Sequence, residues 1–253
     1  MRIVVVGGTG LVGSTLVELL RRQGHDVVAA SPSTGVDTVT REGLAETLTG
    51  ADAVVDLTNR TTFEPGAITD FFTTSTRNLL EAERHAGVGH HVVLSIVGVD
   101  RISHPGYLDA KAAQERLVTN SGVPFTIVRA TQFFEFLTTI GAGLAQGDEI
   151  VLPAADLQPI AVADVAAALA DVVTAAPLGG VVEIAGPERG TFARFVDPAL
   201  RAHRDERAVR SEPDAGYFGV PIVQDSLVPL GPARIGSTTF EDWSVAPSAP
   251  SAP

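Results

Sequence analysis

The stretch from Val4 to Ser14, "VVVGGTGLVGS", joins an apolar run to an amphipathic segment through glycines spaced as G-x-x-G-x-x-G. In this strand, turn and helix context the spacing predicts a dinucleotide-binding turn, in which Gly7 permits the tight turn, Gly10 lets backbone approach a pyrophosphate and Gly13 lets the helix pack closely. The alternative is a turn with incidental glycines. The residues expected to contact the cofactor here are Gly7, Thr9, Gly10, Leu11, Val12 and Gly13.

Outward from this turn, short β-rich runs alternate with helical patterns, an order that builds a parallel sheet covered by helices on both faces. The predicted strands are 2–6, 26–30, 35–39, 51–57, 90–97, 124–130 and 180–186. The predicted helices are 11–22, 67–86, 107–120 and 163–174. We therefore predict an α/β fold with a Rossmann-type doubly wound parallel sheet and a smaller, irregular C-terminal substrate-binding portion.

The chain has 253 residues, which is long enough for one substantial core. We expect residues 1–130 to form the dinucleotide-binding core and 131–244 to form the substrate-binding portion of the same domain. Residues 245–253, which include "APSAPSAP", contain little to bury and are expected to be a disordered tail.

Charge and composition exclude several classes of function. The formal net charge is −12 and no Lys or Arg run interrupts it, which argues against nucleic acid and anionic membranes as partners. The absence of cysteine excludes disulfides, thiolate metal sites and a Cys nucleophile. No signal peptide or membrane span is predicted, so we expect a soluble, cytoplasmic monomer or homodimer that acts on a small molecule.

The end of the second strand bears on the choice of nicotinamide cofactor. An Asp or Glu usually stands there in NAD-binding folds, but this chain has "AASPST", and Asp26 lies at the opposite end of the strand. The neutral donors Ser31, Ser33 and Thr34 could receive a 2′-phosphate, which favours NADP over NAD. The nearest downstream cation is Arg41. Two further residues expected to line the cofactor follow the 51–57 strand, namely Leu57 and Thr58.

Four stretches carry a resemblance to a known family: "GGTGLVG", "LSIVGVDR", "GYLDAK" and "PFTIVRATQFFEF". Together they resemble the extended and atypical short-chain dehydrogenase/reductases, including the NmrA-like group. The resemblance spans roughly residues 1–185. It implies an NAD(P)-dependent oxidoreductase with a Tyr-x-x-x-Lys pair on the helix after the fifth strand.

Tyr107 and Lys111 match that pair, and residues at i and i+4 share one helical face. A carbonyl that accepts hydride at carbon needs a proton at oxygen, and a lysine ammonium near a phenol favours the phenolate and lowers its pKa. The resemblance gives Lys111 a second role in holding the nicotinamide ribose. It also implies that Ser95 orients the substrate carbonyl and that Asn59 is the fourth polar residue. A chance Tyr and Lys pair is the alternative, and the preceding Pro105 and Gly106 leave the direction of the tyrosine open.

The remaining polar clusters predict no further chemistry. His90 and His91 are neighbours on a predicted strand and would point to opposite faces, so no metal site is expected. Glu81, Glu83 and Arg84 are interpreted as a solvated helix face. The chain also lacks H-E-x-x-H, P-loop and G-x-S-x-G motifs.

An apolar wall is expected around the substrate, with closure of the core as the alternative role for the phenylalanines. The expected substrate-binding residues are Phe63, Ile96, Val97, Phe133 and Phe134. Such a wall suits an apolar carbonyl compound, so the sequence predicts reduction of a small carbonyl by NADPH. The alternatives are an NmrA-like module that senses NADP(H) without turnover, and a cofactor-bound isomerase or epimerase.

Overall fold

The computed structural model describes residues 1–60, 65–102 and 106–245. The strands are β1 (Arg2–Val6), β2 (Asp26–Ala30), β3 (Ala53–Asp56), β4 (His90–Ile96), β5 (Phe125–Ala130), β6 (Ala145–Gln146), β7 (Glu149–Pro153), β8 (Asp156–Leu157), β9 (Gly180–Ala185), β10 (Gly190–Thr191), β11 (Ala208–Glu212) and β12 (Arg234–Ile235). The helices are α1 (Leu11–Arg22), α2 (Leu44–Leu48), α3 (Pro65–Ala86), α4 (Tyr107–Thr119), α5 (Leu137–Gly143), α6 (Val162–Thr174), α7 (Phe192–Ala202) and α8 (Phe240–Val245).

The main sheet has seven strands in the order β12-β9-β5-β4-β3-β1-β2. β1 pairs in parallel with β2 on one side and with β3 on the other, so the chain changes direction across the sheet at β1. Ligands of doubly wound folds bind beyond the carboxyl ends of the strands at such a point. The predicted α/β fold with a Rossmann-like parallel sheet is confirmed.

The chain divides into two compact units, of which the first contains Met1–Arg129 and Val165–Val182. Its strands β1 and β3 are apolar along their length because helices cover both faces, and Val4, Val5 and Val55 are fully buried. α1 buries its apolar stripe, including Leu16 and Leu20, and keeps its arginines at the surface.

The second unit contains Ala130–Asp164 and the residues from Glu183 onward. It has a three-stranded sheet, β11-β7-β6, in which one pairing is parallel and one antiparallel, and a short antiparallel pair of β8 and β10. Aromatic rings form much of its interior: Phe134 lies 5.6 Å from Phe240 and 5.4 Å from Trp243, centroid to centroid, and Phe240 meets Phe195 edge-on at 5.5 Å.

Two predictions about local structure were wrong. Residues 35–39, "GVDTV", form no strand, because the Asp37 carboxylate accepts hydrogen bonds from the backbone N–H groups of Val39 and Thr40 (2.7 and 3.1 Å) and holds the chain in a turn. Glu83 is not on a solvated face, since it is fully buried on α3 against His91 of β4.

Among the described residues, no helix has both the length and the apolar character that a bilayer crossing requires. The predicted tail lies outside the described residues from 246 onward.

Candidate active site

The turn after β1 is built from backbone alone. Gly7 has a φ of +77°, and a Cβ there would lie 2.7 Å from the carbonyl oxygen of Leu57. A Cβ on Gly13 would lie 2.2 Å from the carbonyl oxygen of Gly7, so no side chain fits between the turn and α1. The turn is held by the Gly7 N–H, which donates to the Ala30 carbonyl at 2.8 Å.

The N-terminus of α1 is open to an anion. Gly10 is the N-cap residue, makes no side-chain cap, and is followed by a first turn that contains no acidic residue. Thr9 and Gly10 are exposed, Leu11 is half-buried, and Val12 and Gly13 are buried beneath them. Exposed N–H groups at the positive end of a 12-residue helix are the donors that a pyrophosphate accepts from.

The end of β2 forms a tight hydroxyl cluster. The Thr34 hydroxyl accepts from the Ser31 backbone N–H at 2.9 Å, and the Ser31 and Ser33 hydroxyl oxygens lie 2.8 Å apart. The Arg41 guanidinium is held by other residues, because it donates to Asn78 (2.9 Å) and to Glu81 (2.7 Å). The structure therefore places neutral donors at the end of β2.

Residues after β3 lie beside the glycine turn. Asp56, the last residue of β3, is buried, and its Oδ1 accepts from the backbone N–H of Thr58 at 2.9 Å. This bond turns the chain so that Leu57 faces Gly7 and Asn59 is exposed. Within the described chain, the buried Thr58 hydroxyl has no hydrogen-bond partner.

Tyr107 is the first residue of α4, directly after Gly106, which has a φ of +139°. Its ring packs edge-on against Phe72 with centroids 5.7 Å apart, and its hydroxyl donates to the Asn59 Oδ1 at 3.1 Å. The structure thus brings Tyr107 and Asn59 together. Burial raises the pKa of Tyr107 to about 12, which is the direction opposite to that expected from a nearby lysine.

Lys111, one turn further along α4, is 3% exposed. Its ammonium donates to the Leu94 carbonyl at 2.8 Å and to the side-chain oxygen of Gln114, and it lies 4.9 Å from the centre of the Phe72 ring. Burial lowers the pKa of Lys111 to about 8, although Asp56 and Glu115 act in the opposite direction. Phe72 therefore contacts both members of the predicted pair.

Ser95 lies near the carboxyl end of β4 and is 3% exposed. Its hydroxyl oxygen has no hydrogen-bond partner in the described part of the chain. A buried hydroxyl without a partner is costly, and a bound group that accepts or donates a hydrogen bond there would remove the cost. This open hydroxyl and the glycine cradle are both features that fit a dinucleotide with a substrate beside it.

The predicted substrate-binding residues that the structure describes belong to both units. Ile96 is half-buried and Val97 is fully buried in the first unit. In the second unit, Phe133 stacks on Phe136 at 5.7 Å, whereas Phe134 is buried among Phe240 and Trp243 as a core residue. Phe63 lies outside the described residues.

The sequence analysis did not identify Gln114, which accepts a buried hydrogen bond from the lysine, or Asp56, which accepts one from Gln114. One signal was available: Lys111 is the only lysine among the 18 Lys and Arg residues of the chain. A chain that uses arginine at every other cationic position has kept the compact ammonium group at one buried position. Arginine could not replace it there without placing a larger, always charged group inside the fold.

A second buried pair, also missed, lies next to this network. The His91 Nδ1 lies 2.8 Å from the Glu83 Oε1, and both side chains are fully inaccessible. Burial alone would lower the pKa of His91, but the Glu83 carboxylate and Asp56 raise it. Among the residues that the structure describes, no cluster of His, Asp and Glu is arranged to hold a metal ion.

Residues 7–176 match the model of a family described as NAD(P)H-binding. Among curated proteins, the chain is similar to the photosystem II assembly factor Ycf39 of Synechocystis sp., with 26% identity over 151 residues. That match covers 54% of this chain and 46% of Ycf39, so the chain spans less than half the length of that relative.

Solved structures with similar folds include enzymes with different reactions. The UDP-glucose 4-epimerase of Thermus thermophilus, in complex with NAD, has a TM-score of 0.65 at 19% identity and covers 90% of this chain and 92% of its own. The NADPH-dependent quinone oxidoreductase QOR2 of Escherichia coli has a TM-score of 0.61 at 20% identity, with 84% and 78% covered. At these identities the likeness shows the fold alone.

Proposed function

The chain belongs to the NAD(P)H-binding family within the short-chain dehydrogenase/reductase and epimerase superfamily, and from this membership we propose that it reduces the carbonyl group of a small molecule with NADPH. The observation that carries the proposal is that Tyr107 and Lys111 both contact Phe72 and that the Tyr107 hydroxyl donates to Asn59, which follows the carboxyl end of β3. This is the edge of the sheet where the glycine turn also lies.

The protonation of Tyr107 supports reduction as the direction of the reaction. With a pKa raised to about 12, the phenol keeps its proton at neutral pH and can donate it to a carbonyl oxygen. Asn59 accepts from the hydroxyl in the described structure and so directs it, and the open Ser95 hydroxyl is suited to hold the same carbonyl oxygen. Tyr107 is then the proton donor, and Asn59 and Ser95 orient the donor and the substrate.

The cofactor would supply the hydride that the carbonyl carbon accepts. Gly7, Gly10 and Gly13 would admit its pyrophosphate to the N-terminus of α1. The neutral hydroxyls of Ser31, Ser33 and Thr34, without a carboxylate among them, favour NADPH over NADH. Lys111 is the residue proposed to hold the ribose next to the nicotinamide.

The proposed substrate is an apolar or aromatic carbonyl compound, because the half-buried Ile96 next to Ser95 offers an apolar contact. The fold is shared with a quinone oxidoreductase that uses NADPH, which is consistent with this class of substrate.

The experiment is to measure NADPH consumption with a panel of ketones, aldehydes and quinones in the wild-type protein and in Tyr107→Phe. Removing the hydroxyl should lower kcat by about 100-fold to 1,000-fold, because proton transfer by a positioned side chain contributes on this order. The affinity for NADPH, measured by calorimetric titration, should not change. Tyr217→Phe, at the only other tyrosine of the chain, is the matched control and should retain full activity.

Unchanged turnover in Tyr107→Phe would overturn Tyr107 as the proton donor. Tight NADPH binding without turnover of any carbonyl would favour the second candidate, an NADP(H)-sensing module. The observation that favours the sensor is that two of the three N–H groups of the Lys111 ammonium donate to Leu94 and Gln114.

A further inference from the structure

Lys111 lies at one end of a buried chain of hydrogen bonds that reaches a carboxylate on another element. Gln114, which is fully buried one turn along α4, accepts from the Lys111 ammonium through its Oε1. Its Nε2 donates to the Asp56 Oδ2 at 3.0 Å. Lys111 and Gln114 belong to α4, whereas Asp56 is the last residue of β3. These hydrogen bonds therefore connect two residues, Lys111 and Asp56, that are 55 positions apart in the sequence.

The donor-to-acceptor direction of these hydrogen bonds is fixed by the groups at both ends. An ammonium can only donate and a carboxylate can only accept, so the amide of Gln114 has one permitted orientation, with oxygen toward Lys111 and nitrogen toward Asp56. Two charged groups that are 3% and 1% exposed are therefore joined by an amide that satisfies both. Leucine or methionine at position 114 would leave both charges without this partner.

Asp56 also holds the segment that contacts Tyr107. Its Oδ1 accepts from the Thr58 backbone N–H, and the next residue, Asn59, accepts from the Tyr107 hydroxyl. One buried carboxylate thus sets the position of the lysine through Gln114 and of the tyrosine's partner through the backbone. Both routes end on α4, four residues apart.

We propose that Gln114 and Asp56 are positioning residues that hold the Lys111 ammonium in place and in its protonated form for the reaction. The catalytic part of this inference rests on the proposed function. The hydrogen-bonded network itself does not depend on turnover. The charged groups that act on Lys111 are Asp56 from β3 and Glu115 from α4. Asp56 in turn faces the buried pair of Glu83 on α3 and His91 on β4.

The test uses the fact that Lys111 is the only lysine in the chain. Full-length protein grown with ¹³C-labelled lysine gives a single side-chain Cε signal, whose chemical shift reports the protonation of this one amine. In the wild-type protein the signal should titrate near pH 8, well below an exposed lysine. This wild-type midpoint is the reference against which the midpoints of the variants are compared.

Two variants separate the contributions to the network. Asp56→Asn removes the carboxylate and Gln114→Met removes the amide with little change in length, and each should move the titration to lower pH by about one unit. Asp171→Asn makes the same acid-to-amide change at an exposed position of α6, and should not move it. If Asp56→Asn does not fold, Gln114→Met alone decides the matter, and an unshifted midpoint in the folded variants would overturn the proposal.

The pH dependence of kcat tests whether the network acts in the reaction. In Gln114→Met the high-pH limb of the kcat profile should move with the lysine midpoint, while a residue that only supports the fold would lower kcat equally at all pH values. A shifted lysine signal in a protein that reduces no carbonyl would uphold the network and reject the proposed function. A shifted signal with an unmoved pH profile of a working enzyme would reject the positioning role.

Discussion

The turn after β1 and the interior side of α4 prepare for a ligand in opposite ways. The turn does so by the absence of side chains, since Cβ atoms on Gly7 and Gly13 would collide with backbone oxygens. The α4 side does so with buried polar side chains, Lys111 and Gln114, that depend on a carboxylate from another strand. The backbone site is determined by the spacing of glycines within one short stretch of sequence. The side-chain site is determined by contacts between residues that are far apart in the sequence.

The largest effect is expected from Gly13→Ala, which breaks the backbone site. A Cβ 2.2 Å from the Gly7 carbonyl oxygen forces the turn and α1 apart. We expect NADPH affinity to fall by at least about 1,000-fold, or about 4 kcal/mol, together with a lower unfolding midpoint. Calorimetric titration and thermal unfolding measure the two effects.

Two other glycines serve as controls for that change. Gly66→Ala on α3 introduces a Cβ with no atom within 4 Å, and should leave both affinity and stability unchanged. In Gly10→Ala the Cβ meets only the Gly7 oxygen, at 3.3 Å, so stability should be retained while affinity falls because the phosphates approach there. Wild-type affinity in Gly13→Ala would show that the turn is not the cofactor site.

The next largest effect is expected at the buried pair of His91 and Glu83. His91→Leu leaves the fully buried Glu83 without its partner, and should lower the free energy of unfolding by about 3 kcal/mol. The double variant Glu83→Met with His91→Leu should recover most of this loss, because an apolar pair carries no unpaired charge. Denaturant unfolding of the wild type, of His91→Leu and Glu83→Met singly, and of the double variant closes the cycle. Equal stability of His91→Leu and the double variant would contradict the pairing.

This pair should also respond to pH. The folded pKa of His91 is raised above its ordinary value by Glu83 and Asp56, against the opposing effect of burial. The stabilisation is therefore present in full below about pH 6.5 and is lost as the pH rises through the raised folded value. The coupling energy between His91 and Glu83 should be larger at pH 6 than at pH 9.

The glycine turn and the interior side of α4 also differ in how much of each could be predicted from the sequence. The glycine spacing and the apolar strands gave β1, α1 and β2 correctly, since both signals are local. The helix of Tyr107 and Lys111 was also correct, but the partners of the lysine were not foreseen, because Asp56 and Gln114 meet only in the folded chain. The false strand at 35–39 is rich in Val and Thr, the β-branched residues that strands favour, and the carboxylate of Asp37 overrides that preference.

The smallest effect is expected at the hydroxyl cluster that follows β2, next to the glycine turn. Arg41 is the nearest downstream cation, but Asn78 and Glu81 hold its guanidinium, so Arg41→Gln should change the Michaelis constant for NADPH by less than about twofold. Ser33→Arg places a cation in the hydroxyl cluster itself and should raise the preference for NADPH over NADH by about tenfold. Ser237→Arg, a change of the same type in the second unit, should leave this preference unaltered. If Arg41→Gln selectively weakened NADPH, the arginine would have to leave Glu81 when the cofactor binds. Recognition at this hydroxyl cluster would then depend on a side chain that moves, in contrast to the fixed backbone of the glycine turn.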